Sequence, residues 1–153
     1  MAKLMPQTFP TDSAGQALLK NVKRALTNLT GVGDNPSNIY LPAPLKLNAE
    51  RDNLRSDYRS IWQACDIKFE MEQTGAEMAA ERQMEIGPYF LRSSTTVTDM
   101  EKIILHEFLH DALEPSGIGG STGYEFDHTR INEIIRDNLK YPGPPNPANP
   151  SED

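Results

Sequence analysis

Cysteine is almost missing from this sequence: 153 residues hold one, Cys65. A lone thiol can form neither an internal disulfide nor a Cys-rich zinc ribbon. Long apolar runs are missing too, and nothing approaches the ~18 residues a membrane-spanning helix needs. Positive charge is in short supply, with 15 Lys and Arg against 22 Asp and Glu and a net charge of -7. That balance argues against a nucleic-acid footprint and against docking to an anionic membrane. The opening residues, MAKLMPQTFPTDSAG, carry one lysine and no apolar stretch, so they do not read as a secretory signal. The expected location is the cytoplasm, or outside it by a route that reads no such signal. The hydrophobic share is a modest 37%, which predicts irregular stretches around a compact centre.

The length suits one domain, predicted over residues 1–141, with a helical N-terminal part at 11–64 and a second part at 66–141. Residues 142–153 hold five of the 12 prolines and no large apolar side chain, so they read as a disordered tail. No internal repeat is visible. Periodicity predicts four helices. The first runs from about Ser13 to Leu29 behind Thr11 and Asp12, with Leu18, Val22, Ala25 and Leu29 on one face. The second runs from about Ala49 to Ala64 behind Asn48, with a stripe of Leu54, Tyr58, Ile61, Trp62 and Cys65. The third runs from Asp99 to about Leu113, behind a capping box of Thr98 and Glu101. The fourth runs from about Asp127 to Leu139, with Ile131, Ile134, Ile135 and Leu139 on one side.

Three strands are expected between them. Ile39 to Leu41 is short and stopped by Pro42. Ile67, Phe69 and Met71 alternate with charged residues, the pattern of a half-buried strand. Glu85 to Arg92 reads as an edge strand interrupted at Gly87-Pro88. The intervening GAEMAAERQM reads as a loop or a short helix. From Asp66 to Ile86 there are six acids and two bases, which reads as a solvated face.

The third helix carries the chemistry, in His106-Glu107-Phe108-Leu109-His110. Two histidines four residues apart share a helix face, so both imidazoles can grip one metal ion. Glu107 sits beside the first of them and can reach a water on that ion. Zinc would lower the pKa of such a water to ~7, and the glutamate would act as general base. The flanking Ile103, Ile104, Leu105, Phe108 and Leu109 suit a helix buried beneath a cleft. His106 and His110 are thus the candidate zinc ligands and Glu107 the candidate catalytic residue.

A catalytic zinc takes about three protein ligands. His128 is the third and last histidine, and the stretch before it holds four of the ten glycines, which lets the chain turn back. His128 also shares a face with Ile131 and Ile135. Asp127 is the rival third ligand, with Glu125 and Glu133 weaker ones. Asp127 could instead cap the fourth helix or orient a ligand imidazole. Tyr124, Arg130 and Tyr141 are candidates for steadying an oxyanion, Tyr124 first.

HEFLH on a helix, the apolar approach to it and a third ligand on a later helix resemble the zincin metallopeptidases, over about Ile86 to Leu139. The resemblance implies an α+β fold: a small zincin-like domain with a twisted sheet, an HExxH active-site helix and a C-terminal helix carrying the third ligand. It implies Zn2+ as cofactor and a protein or peptide as substrate, while the net charge of -7 argues against a nucleic-acid or membrane partner. It also implies an edge strand, here Tyr89 to Arg92, running antiparallel to a bound peptide. The metzincin pattern HExxHxxGxxH is not met, Asp111 stands where the consensus prefers an uncharged residue, and no Glu-x-x-x-Asp helix of the thermolysin type follows. The long gap to a third histidine is similar to the SprT-like gluzincins, though their cationic and zinc-ribbon equipment is missing here. In size and layout the chain resembles the metallopeptidase toxin domains of bacterial effectors, which implies a secretion-system or immunity partner. Gly123 to His128, GYEFDH, resembles the end of the YbeY-type endoribonuclease motif, but Glu107 replaces that family's glycine and the spacing is longer. A non-catalytic zincin-fold binding module is a further alternative.

Overall fold

The computed structural model describes residues 3–30, 55–113 and 131–136. Helix α1 spans Ser13–Thr30. Asp12 starts it: its Oδ1 accepts the Gly15 N–H at 2.8 Å and satisfies one first-turn donor. The expected stripe of Leu18, Val22, Ala25 and Leu29 is buried, and Leu19 and Leu26 widen it. Lys20, Lys23 and Arg24 stay exposed, so α1 is two-faced.

Helix α2 is short, Tyr58–Ala64. Of the longer helix expected from Ala49, residues 49–54 lie outside the described residues, and 55–57 are not helical. The Arg55 N–H is instead committed to the Ala112 carbonyl at 2.7 Å, which ties the chain across to another element before it can coil. Ile61, Trp62 and Cys65 are buried as their spacing predicts, and Trp62 meets Phe108 edge-on at 5.1 Å.

Four strands form one sheet: β1 Lys3–Leu4, β2 Asp66–Phe69, β3 Ala76–Ala80 and β4 Gln83–Ile86, in the order β1-β2-β4-β3. The first three in that order are mutually parallel, and β3 runs antiparallel to β4; β1 and β3 are the two outer strands among the described residues. Two sequence expectations are corrected here. GAEMAAERQM is neither loop nor helix but most of the β3–β4 hairpin. Its alanines and glutamates are poor strand formers, and pairing with β4 plus burial of Ala76 and Met78 overrides that preference. Glu85 to Arg92 is not one strand: β4 stops at Ile86, and Pro88–Leu91 is a single 3-10 turn. Pro88 has no N–H for a ladder and its φ suits a helical turn. The Gly87 and Tyr89 amides donate to Gly75 and Thr74 carbonyls, and Gly87 has no room for a Cβ against the Gln73 and Gly75 carbonyls.

The alternation in β2 ends sooner than expected. Ile67 and Phe69 are buried, but Met71 is 61% exposed, because the chain turns at Glu70 to Gln73. None of the six acids in the acidic stretch is buried, but only Glu72 and Glu81 are exposed, so the solvated face expected there is partial. Lys68 sits 3.6 Å from Glu70 and 3.7 Å from Glu85, and Gln73 donates to Glu77 and Glu85.

Helix α3 spans Val97–Ala112, two residues ahead of the expected start. Its capping box is Thr96 with Asp99, not Thr98 with Glu101: Thr96 Oγ1 accepts the Asp99 N–H at 3.1 Å, and Asp99 accepts the Thr96 N–H at 2.9 Å. Glu101 is drawn inward instead, where it accepts from Asn28 Nδ2 at 2.8 Å. The sheet packs against α1 and α3, and α3 touches α1, α2 and β3. Residues 131–136 are helical, with Ile131, Ile134 and Ile135 buried in the same core. The architecture is therefore α+β, as expected, with a four-stranded mixed sheet. The strand expected at Ile39 to Leu41 and the tail at 142–153 lie outside the described residues. No helix among the described residues is long and apolar enough to cross a membrane.

Candidate metal centre

Every residue of α3 from Met100 to Ala112 is buried. Most are apolar, which suits a helix packed on several sides. Six are not: Glu101, Lys102, His106, Glu107, His110 and Asp111. Burying a polar or charged group is costly unless a partner or an ion compensates it. Three of the six form one cluster. Helical spacing brings His106 and His110 onto one face, with ring centroids 4.9 Å apart and the planes nearly perpendicular. Glu107 lies beside them, with Oε2 4.0 Å from His106 Nε2.

The donor atoms of His106, Glu107 and His110 all lie within 4.8 Å of one another, so the three could hold a metal ion. In a tetrahedral zinc site two nitrogens lie about 3.4 Å apart, given a Zn–N distance of about 2.1 Å, so the side chains would rotate inward to close on an ion. Two imidazoles with a carboxylate form a nitrogen–oxygen donor set that suits zinc and its first-row neighbours. All three side chains are at most 1% exposed, so any charge placed there is screened little by water.

Glu107 is fixed from outside its own helix. Its Oε1 accepts the Met78 N–H of β3 at 2.9 Å, a buried bond. That contact orients the carboxylate and ties the outer strand to the motif helix. Sequence reasoning missed Met78, because a backbone donor leaves no residue-type signal. The alternation of apolar Ala76 and Met78 about Glu77 was the available sequence hint that a strand passes here.

Asp111, one turn beyond Glu107, joins α3 to the same hairpin. Its Oδ2 accepts the Arg82 N–H at 2.8 Å, and its Oδ1 lies 3.7 Å from Arg55 Nη1. Burial pushes the Asp111 carboxyl above its usual range, against the opposing pull of the Arg82 amide and the Arg55 guanidinium. Arg82 has a φ of 58°, in the left-handed region that a residue with a Cβ enters at a cost. Its carbonyl accepts from Asp66 N–H at 2.8 Å, so both sides of that peptide position are held. Nearby Cys65 is buried, and burial raises its thiol to about 12, leaving it protonated and inert.

His106, Glu107 and His110 are thus brought together as the motif spacing predicts. Tyr124, Asp127, His128, Glu125, Arg130 and Tyr141 lie outside the described residues. Glu133 is exposed beside the buried Ile131, Ile134 and Ile135 and is not part of the cluster. Tyr89 to Arg92, expected as the edge strand, is instead part of the 3-10 turn Pro88–Leu91 and its C-cap; the outer strand beside the cluster is β3. No family model, no curated protein and no solved structure matches this chain.

Proposed function

We propose that this protein is a zinc-dependent hydrolase of peptide bonds, with Glu107 as general base. The observation that carries the reading is the buried cluster of His106, Glu107 and His110 on α3, with one Glu107 oxygen anchored on the Met78 amide of the outer strand. His106 and His110 would hold the ion. His128 is the proposed third ligand: it is the last histidine, and Ile131 and Ile135, three and seven residues on, are buried. Asp127 is its rival, and Tyr124 is the proposed oxyanion donor. Zinc bound there would supply a water of lowered pKa and would polarise a carbonyl. With Oε1 on the Met78 amide, the Glu107 carboxylate would take a proton from the attacking water and pass it to the leaving amine. The edge-strand role implied by the zincin resemblance is assigned to Ala76–Ala80, an outer strand tied to the motif helix through the Met78 amide. An effector role, with an immunity or secretion partner, rests on size and layout alone.

The test is metal content together with digestion of casein or a peptide library, with and without chelator. Near-stoichiometric zinc and chelator-sensitive cleavage are expected. Glu107→Gln should keep the metal and lose at least ~100-fold in turnover. Zinc bound with no peptide cleaved, and RNA degraded instead, would favour the endoribonuclease alternative. Zinc bound with neither substrate cut would favour a binding module. Loss of zinc in His128→Ala but not in Asp127→Asn assigns the third ligand.

A further inference from the structure

We propose that Asp111 is a positioning residue for Glu107, acting through the β3–β4 hairpin; this deepens the peptidase reading and rests on it for its catalytic meaning. Two carboxylates one helical turn apart on α3 accept two amides from one hairpin. Glu107 Oε1 takes the Met78 N–H at 2.9 Å, and Asp111 Oδ2 takes the Arg82 N–H at 2.8 Å. Residues four apart on a helix face the same neighbour, so both bonds reach the same side of α3. Between the two amides the pairing register of β3 on β4 shifts at Met78 to Ala80. A bulge of that kind bends the strand, and the bend lets one short hairpin meet both rungs.

The second rung is built to be stiff. Arg82 is held in a left-handed conformation, with its carbonyl tied to β2 through Asp66 and its amide tied to Asp111. Strained backbone of this sort persists only where its surroundings over-determine it. Arg55 adds a third tie: its guanidinium sits 3.7 Å from Asp111 Oδ1, and its own amide bonds the Ala112 carbonyl. With the turn clamped to α3, the distance from β3 to Glu107 is set, and so is the direction of the Glu107 carboxylate. This also gives a reason for the charged residue after the second histidine: the hairpin amide needs a buried acceptor there.

The experiment follows amide hydrogen exchange at Met78 and Arg82 in Asp111→Ala and Asp111→Asn, with zinc affinity measured alongside. In Asp111→Ala both amides should exchange at least ~10-fold faster, while amides in α1 stay protected and zinc affinity falls no more than the ~10 to 100-fold of a residue that supports a ligand from outside. Asp111→Asn keeps the size and one acceptor oxygen and should give an intermediate change, with Met78 and Arg82 moving together. It also carries the test if Asp111→Ala does not fold. Release of Arg82 with Met78 unchanged in either variant overturns the proposal and reduces Asp111 to a turn anchor. Where the wild type cleaves peptide, kcat should drop ~10-fold in Asp111→Ala with KM within ~3-fold, and Asp111→Asn should recover part of it. Coupled amides in a wild type that cleaves nothing would uphold the clamp and overturn the peptidase reading.

Discussion

Helices α1 and α3 lie side by side and solve opposite problems. Helix α1 has a buried apolar stripe and an exposed face of Lys20, Lys23 and Arg24, so each side chain meets the environment its chemistry prefers. Helix α3 buries thirteen consecutive residues, six of them polar or charged. Its polar groups are retained against a desolvation cost, and five of the six have a specific task within reach. Glu101 takes an amide from Asn28 on α1, Glu107 and Asp111 take backbone amides from the hairpin, and the two histidines face one another. Ordinary packing explains α1 completely. For α3 it does not suffice, and the excess of buried polar groups marks the helix of the candidate metal site.

The contrast can be broken most forcefully in the core of α3. Phe108 is fully buried and packs on Trp62, so Phe108→Ala should cost about 3–5 kcal/mol, read as a lowered midpoint in chemical denaturation. A loss under about 1 kcal/mol would mean that the packing around α3 is looser than its burial implies.

Cys65, whose buried thiol lies close to Asp111 at the far end of α3, gives a smaller and pH-dependent effect. Its folded pKa, raised by burial from 9.0 to about 12, lies above the unfolded one. The native state therefore holds this proton more tightly. The stabilising contribution is complete below pH 9.0 and is lost as pH rises toward 12. Denaturation should show a Cys65-dependent slope of up to about 1.4 kcal/mol per pH unit in that window, absent in Cys65→Ala. Equal slopes in the two proteins would show that the thiol titrates normally. Native Cys65 should also react with thiol reagents far more slowly at pH 8 than in denaturant.

The smallest effect belongs to the exposed face of α1. Lys23 is exposed with no ion pair among the described residues, so Lys23→Ala should shift stability by no more than ±0.5 kcal/mol. A loss beyond that would show that the cationic face of α1 has a partner and that the simple reading of this helix fails.

Most of the helical framework and the heart of the candidate metal site were open to sequence reasoning because both depend on local spacing. Leu18, Val22, Ala25 and Leu29 repeat at the helical period, and so do His106 and His110; no distant residue is needed to bring either set together. The start of α3 was misread by two residues, since Thr96-Asp99 and Thr98-Glu101 offer the same local signature and only packing decided between them. Glu101 was claimed by Asn28, 73 residues away, and was lost to the cap. The sheet was least legible. Ala76–Ala80 has little strand preference of its own and exists because β4 pairs with it, while Glu85 to Arg92 looked like a strand until Pro88 closed a turn.

What the sequence by itself determined is the helix that presents two imidazoles and a carboxylate on adjoining faces, because four-residue spacing on an α-helix is geometry that any context preserves. What only the tertiary structure decided is which strand lies against that helix and how it is held there. Met78 and Arg82 reach Glu107 and Asp111 through backbone amides, and a backbone amide is the same in every residue except proline. No pattern of side chains could announce those bonds, because they follow from where the folded chain places a donor that nearly every residue carries.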